Sequence, residues 1–433
     1  MRRESYAFRF IDFLILVYSI AILVFLKDEI MNLRIVGVSL IAISIYSIIK
    51  VRKNPLLLVL FSLIGFMNIS IGYKDFLMLG EGISSWQLEG LRSKPINVFN
   101  AKSVLITLAI VNLFVSEKTA SLFRGTISDY RCSNKAVGYG GAILLWLIFL
   151  YSFVAIKENI GQSHYMVYNP IFEYCLIIYV FTWYYSSNLR TVNISLVLFA
   201  VAFFVRFSLI GDRSSVFMLL VMFFLLYFNK RIKLSLMLII LLVGIPFVNF
   251  IGIFRTYGSE DFSTLLRLTI SDGYYVDTVS WAYYAGLAVS SLGSLFKPFQ
   301  LFVSFVLSWF GIDYGVSDLN DYALNYSELY NNGGGFYSSF FYAYGGYIGV
   351  LFGAIVLGVI IRLIMKAKRK DMIVFKILLV VYSFRWYLYN PSTLFKGCLL
   401  YTALVFIFCS LIGKTRKNVN GISTARHQIA RLK

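Results

Sequence analysis

Charged residues are scarce in this chain. They make up 14% of its 433 residues, whereas soluble domains are about 25% charged. Cysteine occurs only four times, with no spacing that fits a zinc site or a disulfide framework. The cysteines are Cys132, Cys175, Cys398 and Cys409. These scarcities exclude a soluble domain and a disulfide-rich secreted fold, and they leave the cysteines as small core residues.

Long apolar runs recur along the whole sequence. Hydrophobic residues are 59% of the chain, and the mean hydropathy is +0.76. Runs of about 17–25 apolar residues can cross a bilayer as helices. We therefore predict an all-α polytopic membrane protein, a single membrane domain over residues 1–433 with about 12 transmembrane helices. The predicted spans are 11–26, 35–49, 55–72, 101–116, 138–156, 170–187, 192–210, 214–229, 234–253, 337–364, 372–389 and 398–413.

The net charge of +19 is unevenly distributed. Lysine and arginine cluster in the short turns between alternate spans and in the tail 414–433, which is the positive-inside pattern. This distribution favours a lipid bilayer, and no nucleic acid, as the partner. It also predicts that both termini and the basic tail are cytoplasmic.

The connection over residues 254–336 falls on the outer side. It is far longer than the usual connection between elements, which favours a functional role. Residues 277–292 have helical periodicity with aromatic side chains, and residues 299–310 are apolar but too few to cross a bilayer. The sequence predicts a large structured outer loop with short helices, of which the second is interfacial or re-entrant.

Several arginines on the outer side run against the charge bias. Arg206 and Arg213 are seven residues apart in VAFFVRFSLIGDRSSVF, so that on one helix they would share a face. Arg255, Arg267 and Arg385 reach the same side of the membrane. Guanidinium groups collected at one membrane face predict a site for an anionic, phosphate-bearing substrate.

Two simpler interpretations of these arginines stay open. A basic side chain near a helix end can extend its head to water or to lipid phosphate. Arg206 can instead belong to a structural pair inside the membrane, with Glu173 near the start of the sixth span as its partner.

The long loop also contains carboxylates and aromatic rings. A carboxylate can act as general base on a sugar hydroxyl, although most such groups are ordinary solvated residues. The general-base candidates are Asp272, Asp277, Asp318 and Glu328. Aromatic rings suit sugar faces as well as the lipid interface. The sugar-binding candidates are Tyr257, Tyr274, Trp281 and Tyr330.

Glycines mark the end of the loop and the span that follows. Gly333, Gly334 and Gly335 suggest a hinge, or a helix N-terminus whose amides face an anion. Glycines at 345, 349 and 353 recur every four residues and predict a smooth helix face for close packing.

Known catalytic motifs are absent from the sequence. It contains no Walker loop, HExxH, CxxC or GxSxG motif, and no aspartate-rich cytoplasmic motif for a metal-bound sugar nucleotide. We expect no cofactor and no metal.

The chain resembles the Wzy-type O-antigen polymerases, which join lipid-linked oligosaccharide repeat units. The resemblance rests on the span count, the outer turn LIGDRSSVF, the loop opening FRTYG and the closing element GGGFYSSFFYAYGGYIGVLFGAIVLGVIIR. It implies a glycosyltransferase of the bacterial inner membrane, with the long loop in the periplasm. It also implies that Arg213 and Arg255 contact undecaprenyl pyrophosphate, and it makes a chain-length regulator protein a candidate partner.

The expected reaction is polymerisation of undecaprenyl-pyrophosphate-linked repeat units at the periplasmic face. The pyrophosphate leaving group is expected to be held by Arg206, Arg213, Arg255, Arg267 and Arg385. The alternatives are a flippase or other transporter for lipid-linked oligosaccharide, and the related O-antigen ligases. Ligases resemble this layout but place a histidine in the large loop; the absence of histidine from residues 254–336 favours the polymerase.

Overall fold

A computed structural model describes most of the chain. The described residues are 2–79, 95–115, 126–156, 170–228, 232–237, six positions between 239 and 254, and then 260–271, 277–291, 297–310, 312 and 334–412. Over these residues the structure is helical, apart from turns and an isolated antiparallel bridge between Ser133 and Ser186.

The helices are numbered in chain order. They are α1 (Arg2–Phe25), α2 (Leu33–Val51), α3 (Pro55–Ile71), α4 (Pro95–Phe114), α5 (Lys135–Ala155), α6 (Ile171–Tyr185), α7 (Arg190–Ile210), α8 (Arg213–Phe228), α9 (Phe262–Ser271), α10 (Asp277–Ser291), α11 (Pro298–Ser308), α12 (Tyr337–Lys366), α13 (Met372–Val381), α14 (Ser383–Leu388) and α15 (Leu394–Ile412). A π-helical turn, Gly72–Leu77, extends α3, and α15 begins with another, Leu394–Tyr401.

The predicted all-α membrane fold is confirmed in its coarse form. Eight helices within the described residues are long and apolar enough to cross a membrane, namely α1 to α5, α7, α12 and α15, with the π turn counted into α3. Three more predicted spans coincide with the shorter apolar helices α6, α8 and α13. The predicted span at 234–253 lies largely outside the described residues, as do residues 313–333 and the tail from 413 onwards.

The helices define two ends of the bundle. One end carries the turns 52–54, 126–134, 186–189 and 367–371, and we call it the basic end. The other end carries the turns 26–32 and 211–212 and the helices α9 to α11, and we call it the loop end. The two ends follow from the alternation of helix direction along the chain.

An ion pair is sealed inside the bundle towards the basic end. The Lys50 ammonium donates to both Asp12 carboxylate oxygens, at 2.8 and 2.7 Å, and to the Asn112 carbonyl at 2.6 Å. Tyr46 donates its hydroxyl to the same carboxylate at 2.8 Å. The two charged side chains are 1% and 4% exposed. Each polar group therefore has a partner in a region that water does not reach.

Helix α10 is buried in the bundle, although its sequence lies in the predicted outer loop. Tyr283, Leu287 and Ala288 are fully buried, where α10 packs against α3, α4 and α12. The Tyr283 hydroxyl donates to the Asn97 side chain at 2.7 Å, and the Ser280 hydroxyl donates to Asp75 at 2.8 Å. Its aromatic periodicity therefore marks a core helix at the loop end, and part of the long connection lies inside the bundle.

Helix α11 packs only one face on the bundle. Leu301 and Phe305 are buried against α12, whereas Phe299 is 77% exposed. This segment forms a helix as predicted, and its exposed apolar face suits the interface or the bilayer.

The glycine repeat of α12 does not form a smooth face, so that prediction is wrong. The helix breaks at Gly345 and Gly346, and Gly346 has the left-handed φ of 57°. The first segment folds back, so that the Tyr337 hydroxyl donates to the Gly353 carbonyl at 2.9 Å. A Cβ at Gly353 would meet the Phe341 ring at 2.3 Å. The lack of a side chain at Gly353 therefore makes room for a ring of the same helix, and not for the close approach of a neighbouring helix.

Candidate functional site

The turn between α7 and α8 explains the segment LIGDRSSVF. Gly211 has a φ of 87° and ends α7, where its amide donates to the Ser208 carbonyl at 3.0 Å. The Asp212 amide donates to the Phe207 carbonyl at 3.0 Å, which completes a Schellman motif. The Asp212 carboxylate then accepts from the amides of Ser214 and Ser215, at 3.1 and 3.2 Å, and caps α8.

Arg213 is the first residue of α8, at the positive end of the helix dipole. A cation there is unfavourable by about 0.3–1 kcal/mol. The capping carboxylate of Asp212 offsets part of this cost, and the side chain of Arg213 is partly exposed. Helix stability alone therefore does not account for an arginine at this position.

Glu173 and Arg385 form an ion pair between α6 and α14. The Glu173 side chain is 4% exposed and that of Arg385 is 16% exposed. The Tyr382 hydroxyl donates to the backbone carbonyl of Glu173 at 2.7 Å and fixes α6 against the break between α13 and α14. The Arg385 guanidinium carbon lies 5.0 Å from the centroid of the Tyr389 ring, within reach of a cation–π contact.

The ion pair meets the α7–α8 turn. The Ser214 hydroxyl donates to Asp212 Oδ1 at 2.8 Å, and its oxygen lies 3.5 Å from Glu173 Oε1. Because Arg213 precedes Ser214, its backbone lies at the edge of the same group. We call Glu173, Arg385, Asp212, Ser214 and Arg213 the loop-end cluster.

The cluster lies at the loop end of the bundle. Asp212, Arg213 and Ser214 follow directly after α7, which covers about 30 Å from Arg190 to Ile210 at about 1.5 Å per residue. Glu173 is in the first turn of α6, and Arg385 is in α14, after the break that ends α13. The hydrocarbon core of a bilayer is about 30 Å thick, so a helix of the length of α7 brings the cluster to one end of a membrane-spanning bundle.

The glycine segment before α12 closes against the cluster. A Cβ at Gly334 would meet Ala282 of α10 at 3.2 Å and Tyr389 at 3.5 Å, and its φ is +117°. The Gly335 amide donates to the Leu388 carbonyl at 3.0 Å, so that amide is not available to an anion. Tyr389 thus connects Arg385 to α10. These glycines allow two backbones to approach closely, which the sequence alone did not indicate.

Arg206 is placed differently from the prediction. It lies on α7 and Arg213 begins α8, so the two do not share a face of one helix. The Arg206 guanidinium lies 4.6 Å from the Phe153 ring centroid and donates to the Ile156 carbonyl at 3.3 Å. The alternative pairing of Arg206 with Glu173 is also wrong, because Glu173 pairs with Arg385.

The other predicted residues fall outside the loop-end cluster or outside the described residues. Arg267 is exposed on α9, and Trp281 is partly buried on α10 beside Ala282. Asp277 begins α10, and its side chain is not described. The remaining candidates lie outside the described residues, namely Arg255, Tyr257, Asp272, Tyr274, Asp318, Glu328 and Tyr330.

Sequence reasoning missed the carboxylate of the loop-end cluster. Glu173 was considered only as a structural partner, and Asp212 and Ser214 were not considered at all. One signal was present: Glu173 is an acidic residue in the first turn of an otherwise apolar helix. Such a residue inside a membrane span is a functional candidate by default.

The described part of the chain contains no group of three or more histidine, cysteine, aspartate or glutamate side chains placed to hold a metal ion. The cluster offers other chemistry. It combines a guanidinium and a carboxylate that share a hydrogen bond, a second arginine at a helix N-terminus and serine hydroxyls. Such a group can bind an anion and accept a proton.

No protein-family model, curated protein or solved structure matches this chain.

Proposed function

We propose that this protein is a membrane glycosyltransferase of the O-antigen polymerase type. It transfers a glycan from undecaprenyl pyrophosphate to a hydroxyl of a second lipid-linked repeat unit. The observation that carries the proposal is the partly open Glu173–Arg385 pair, which lies at the loop end beside the turn that leads into Arg213 and α8. An arginine held in this way suits a lipid-borne diphosphate, because the diphosphate stays near the membrane.

In the proposed reaction, the acceptor hydroxyl oxygen attacks the anomeric carbon of the donor glycan. The bond from that carbon to the pyrophosphate oxygen breaks, and its electron pair leaves with the pyrophosphate. The main demand is to stabilise the developing negative charge. Arg385 and Arg213 meet this demand, since charge-assisted hydrogen bonds contribute roughly 1.5–3 kcal/mol each.

Glu173 has two roles in this scheme. Before the substrate binds, it holds the Arg385 guanidinium in place, together with the contact to Tyr389. The pyrophosphate carries more negative charge than one carboxylate and competes for Arg385. Glu173 is then released and accepts the proton of the acceptor hydroxyl. This assigns the general base to a residue of α6 and leaves the loop carboxylates as sugar contacts.

The proposal includes the orientation of the protein in the membrane. The basic end faces the cytoplasm, with both termini, and the loop end faces the periplasm of a bacterial inner membrane. The lysines and arginines at the basic-end turns support this orientation by the positive-inside rule.

The test is elongation by purified protein in vesicles that contain undecaprenyl-pyrophosphate-linked repeat units. Wild-type protein is expected to lengthen the glycans, and Glu173→Gln to reduce the rate by about 100-fold or more. Arg34→Gln is the matched control, because Arg34 is an exposed cation at the loop end outside the cluster. Elongation by Glu173→Gln at the wild-type rate contradicts the role of Glu173, and no elongation by wild-type protein contradicts the function.

A transporter of lipid-linked oligosaccharide is the second candidate, and one observation favours it. Transporters bind their substrates at broken helices within the bilayer. Here α12 breaks at Gly345, and the helix formed by α13 and α14 breaks at Tyr382 beside the cluster. In the same vesicles, translocation without elongation would identify a transporter. Transfer of the glycan only to a lipid A-core acceptor would identify a ligase.

A further inference from the structure

A pocket at the basic end is separate from the loop-end cluster. It has a volume of about 660 Å³ and lies where the α6–α7 turn, the start of α7 and the end of α8 meet. Its lining includes the polar residues Arg131, Arg190 and Asn193 and, further along α7, the apolar residues Ile194 and Leu198. Small-molecule pockets are about 300–1,000 Å³, so the volume suits a ligand headgroup.

Arg131 is held rigidly in this pocket. Its Nε donates to the Trp183 carbonyl at 2.9 Å, and one terminal nitrogen donates to the Ser186 hydroxyl at 2.8 Å and to Asn193 Oδ1 at 2.5 Å. The guanidinium carbon also lies 4.7 Å from the Trp183 ring centroid. The side chain is thus fixed with few rotamers left to lose when it binds a ligand.

All of these partners of Arg131 are neutral. Among the described residues, no carboxylate lies within 4.0 Å of its guanidinium nitrogens. Burial lowers the pKa of Arg131, because desolvation disfavours the charged form. A partly buried cation without an anion is costly, and a bound anion removes that cost.

Arg190 brings a second positive charge to the pocket. It is exposed and is the first residue of α7. The preceding residue, Leu189, has no side chain able to cap the helix, and no side-chain cap is present. The start of α7, which no side chain caps, therefore borders the same pocket as the two arginines.

The part of the pocket that lies further along α7 is apolar. Arg190, Ile194 and Leu198 are spaced by four residues, so they form one stripe on α7. Ile194 is 50% exposed and Leu198 is 57% exposed. The stripe extends about 12 Å into the membrane from the cation, at about 1.5 Å per residue. A ligand that contacts both the arginines and this apolar stripe needs an anionic head and a hydrocarbon chain.

We propose that this pocket binds an anionic phospholipid of the leaflet at the basic end. Arg131 and Arg190 contact the headgroup phosphate, and an acyl chain lies along Ile194 and Leu198. Basic pockets between membrane helices commonly bind anionic headgroups on this side. The lipid joins the turn before α5 to α6, α7 and α8, and it stabilises that part of the bundle.

The experiment measures the thermal unfolding of full-length, delipidated protein in a neutral detergent. Dioleoylphosphatidylglycerol is titrated, with dioleoylphosphatidylcholine and inorganic phosphate as separate probes. Phosphatidylglycerol is expected to raise the unfolding temperature by several degrees, as a ligand of the native state does. Phosphatidylcholine and inorganic phosphate are expected to have little effect, since one lacks net charge and the other lacks a chain.

Two arginine variants test the site, and a third variant is the control. Arg190→Gln is expected to raise the half-saturating phosphatidylglycerol concentration by about tenfold, because one charge-assisted contact is lost. Arg131→Gln is expected to raise it further. Lys135→Gln removes an exposed cation at the same end but outside the pocket, and it is expected to leave the titration unchanged.

Several results would overturn the proposal. The first is that phosphatidylcholine stabilises the protein as much as phosphatidylglycerol does, and the second is that inorganic phosphate alone stabilises it. The third is that Lys135→Gln and Arg190→Gln reduce the affinity for phosphatidylglycerol equally, which would mean a diffuse attraction to the charged surface. If Arg131→Gln does not fold, Arg190→Gln decides, because its side chain is exposed and its loss leaves the core intact. Native mass spectrometry is a second readout, in which wild-type protein retains more phosphatidylglycerol than Arg190→Gln.

Discussion

Two buried ion pairs in this bundle differ in how completely they are enclosed. At Asp12–Lys50, both side chains are at most 4% exposed, and the ammonium has three acceptor oxygens. At Glu173–Arg385 the carboxylate is equally buried, but the Arg385 side chain is 16% exposed. The first pair is closed on all sides, whereas the second is partly open. For this reason the proposed reaction uses the second pair and not the first.

Their surroundings differ in the same way. The Asp12–Lys50 pair lies between long helices that span the bundle, α1, α2 and α4. The Glu173–Arg385 pair lies at the ends of short helices, next to a helix break and a capped turn. A charge pair inside a membrane protein is therefore not itself evidence of function. A structural pair is distinguished from a functional one by whether water or a ligand can reach it.

The largest expected effect is at the enclosed pair. Lys50→Met leaves Asp12 as a buried charge without a partner, which costs about 3–5 kcal/mol. The expected result is a large fall in the free energy of unfolding, measured by denaturant titration in mixed micelles. The double variant Asp12→Leu/Lys50→Met is expected to recover most of it. A single variant as stable as wild type would show that the pair does not stabilise the bundle.

Arg385 is expected to affect the reaction more than the fold. Arg385→Gln removes the main proposed clamp, and loss of a donor of this kind typically reduces the rate by about 100- to 1,000-fold. The unfolding temperature is expected to fall less than in Lys50→Met, because the Glu173–Arg385 pair is less enclosed than the Asp12–Lys50 pair. Single-turnover elongation and thermal unfolding are measured on the same preparation. If Arg385→Gln and Lys50→Met lose equal stability, the two ion pairs are alike in their structural role, and the difference drawn between them is contradicted.

Arg213 is expected to have a smaller effect than Arg385. Arg213→Ala removes roughly 1.5–3 kcal/mol of charge-assisted binding, which shifts the product from long-chain polysaccharide towards single repeats. The protein inserts normally, because Asp212 still caps α8. Gel analysis of chain length in cells is the measurement, with Arg34→Ala as control. A wild-type chain-length distribution would remove Arg213 from the site.

The smallest expected effect is at the cap of α8. Asp212→Ala removes the acceptor for two amides and costs about 1 kcal/mol, whereas Asp212→Asn keeps an acceptor oxygen. The alanine variant is expected to have a lower unfolding temperature, and the asparagine variant to lie close to wild type. If the two variants are equally destabilised, the charge of Asp212 near the cluster matters more than its hydrogen bonds.

The spans predicted from hydropathy placed this turn, since one ends at 210 and the next begins at 214. Local rules explain its form: Gly211 carries the signal for a helix end and Asp212 the signal for a helix start, and the structure has both. Arg213 was therefore correctly placed at the end of a predicted span. The alternative pairing of Arg206 with Glu173 was wrong, because Arg206 contacts the Phe153 ring and the Ile156 carbonyl, on and just beyond α5. No local pattern specifies which neighbouring helix a long side chain meets.

The sequence by itself determined that this is a bundle of apolar helices with an excess of basic residues at one end. Hydrophobic length and charge act locally, so they can be read along the chain. Only the tertiary structure decided that Glu173 meets Arg385, that α10 is buried and that α12 folds back at Gly345 and Gly346. Those features depend on packing between segments distant in the chain, and in lipid such packing depends on shape and hydrogen bonding more than on hydrophobicity.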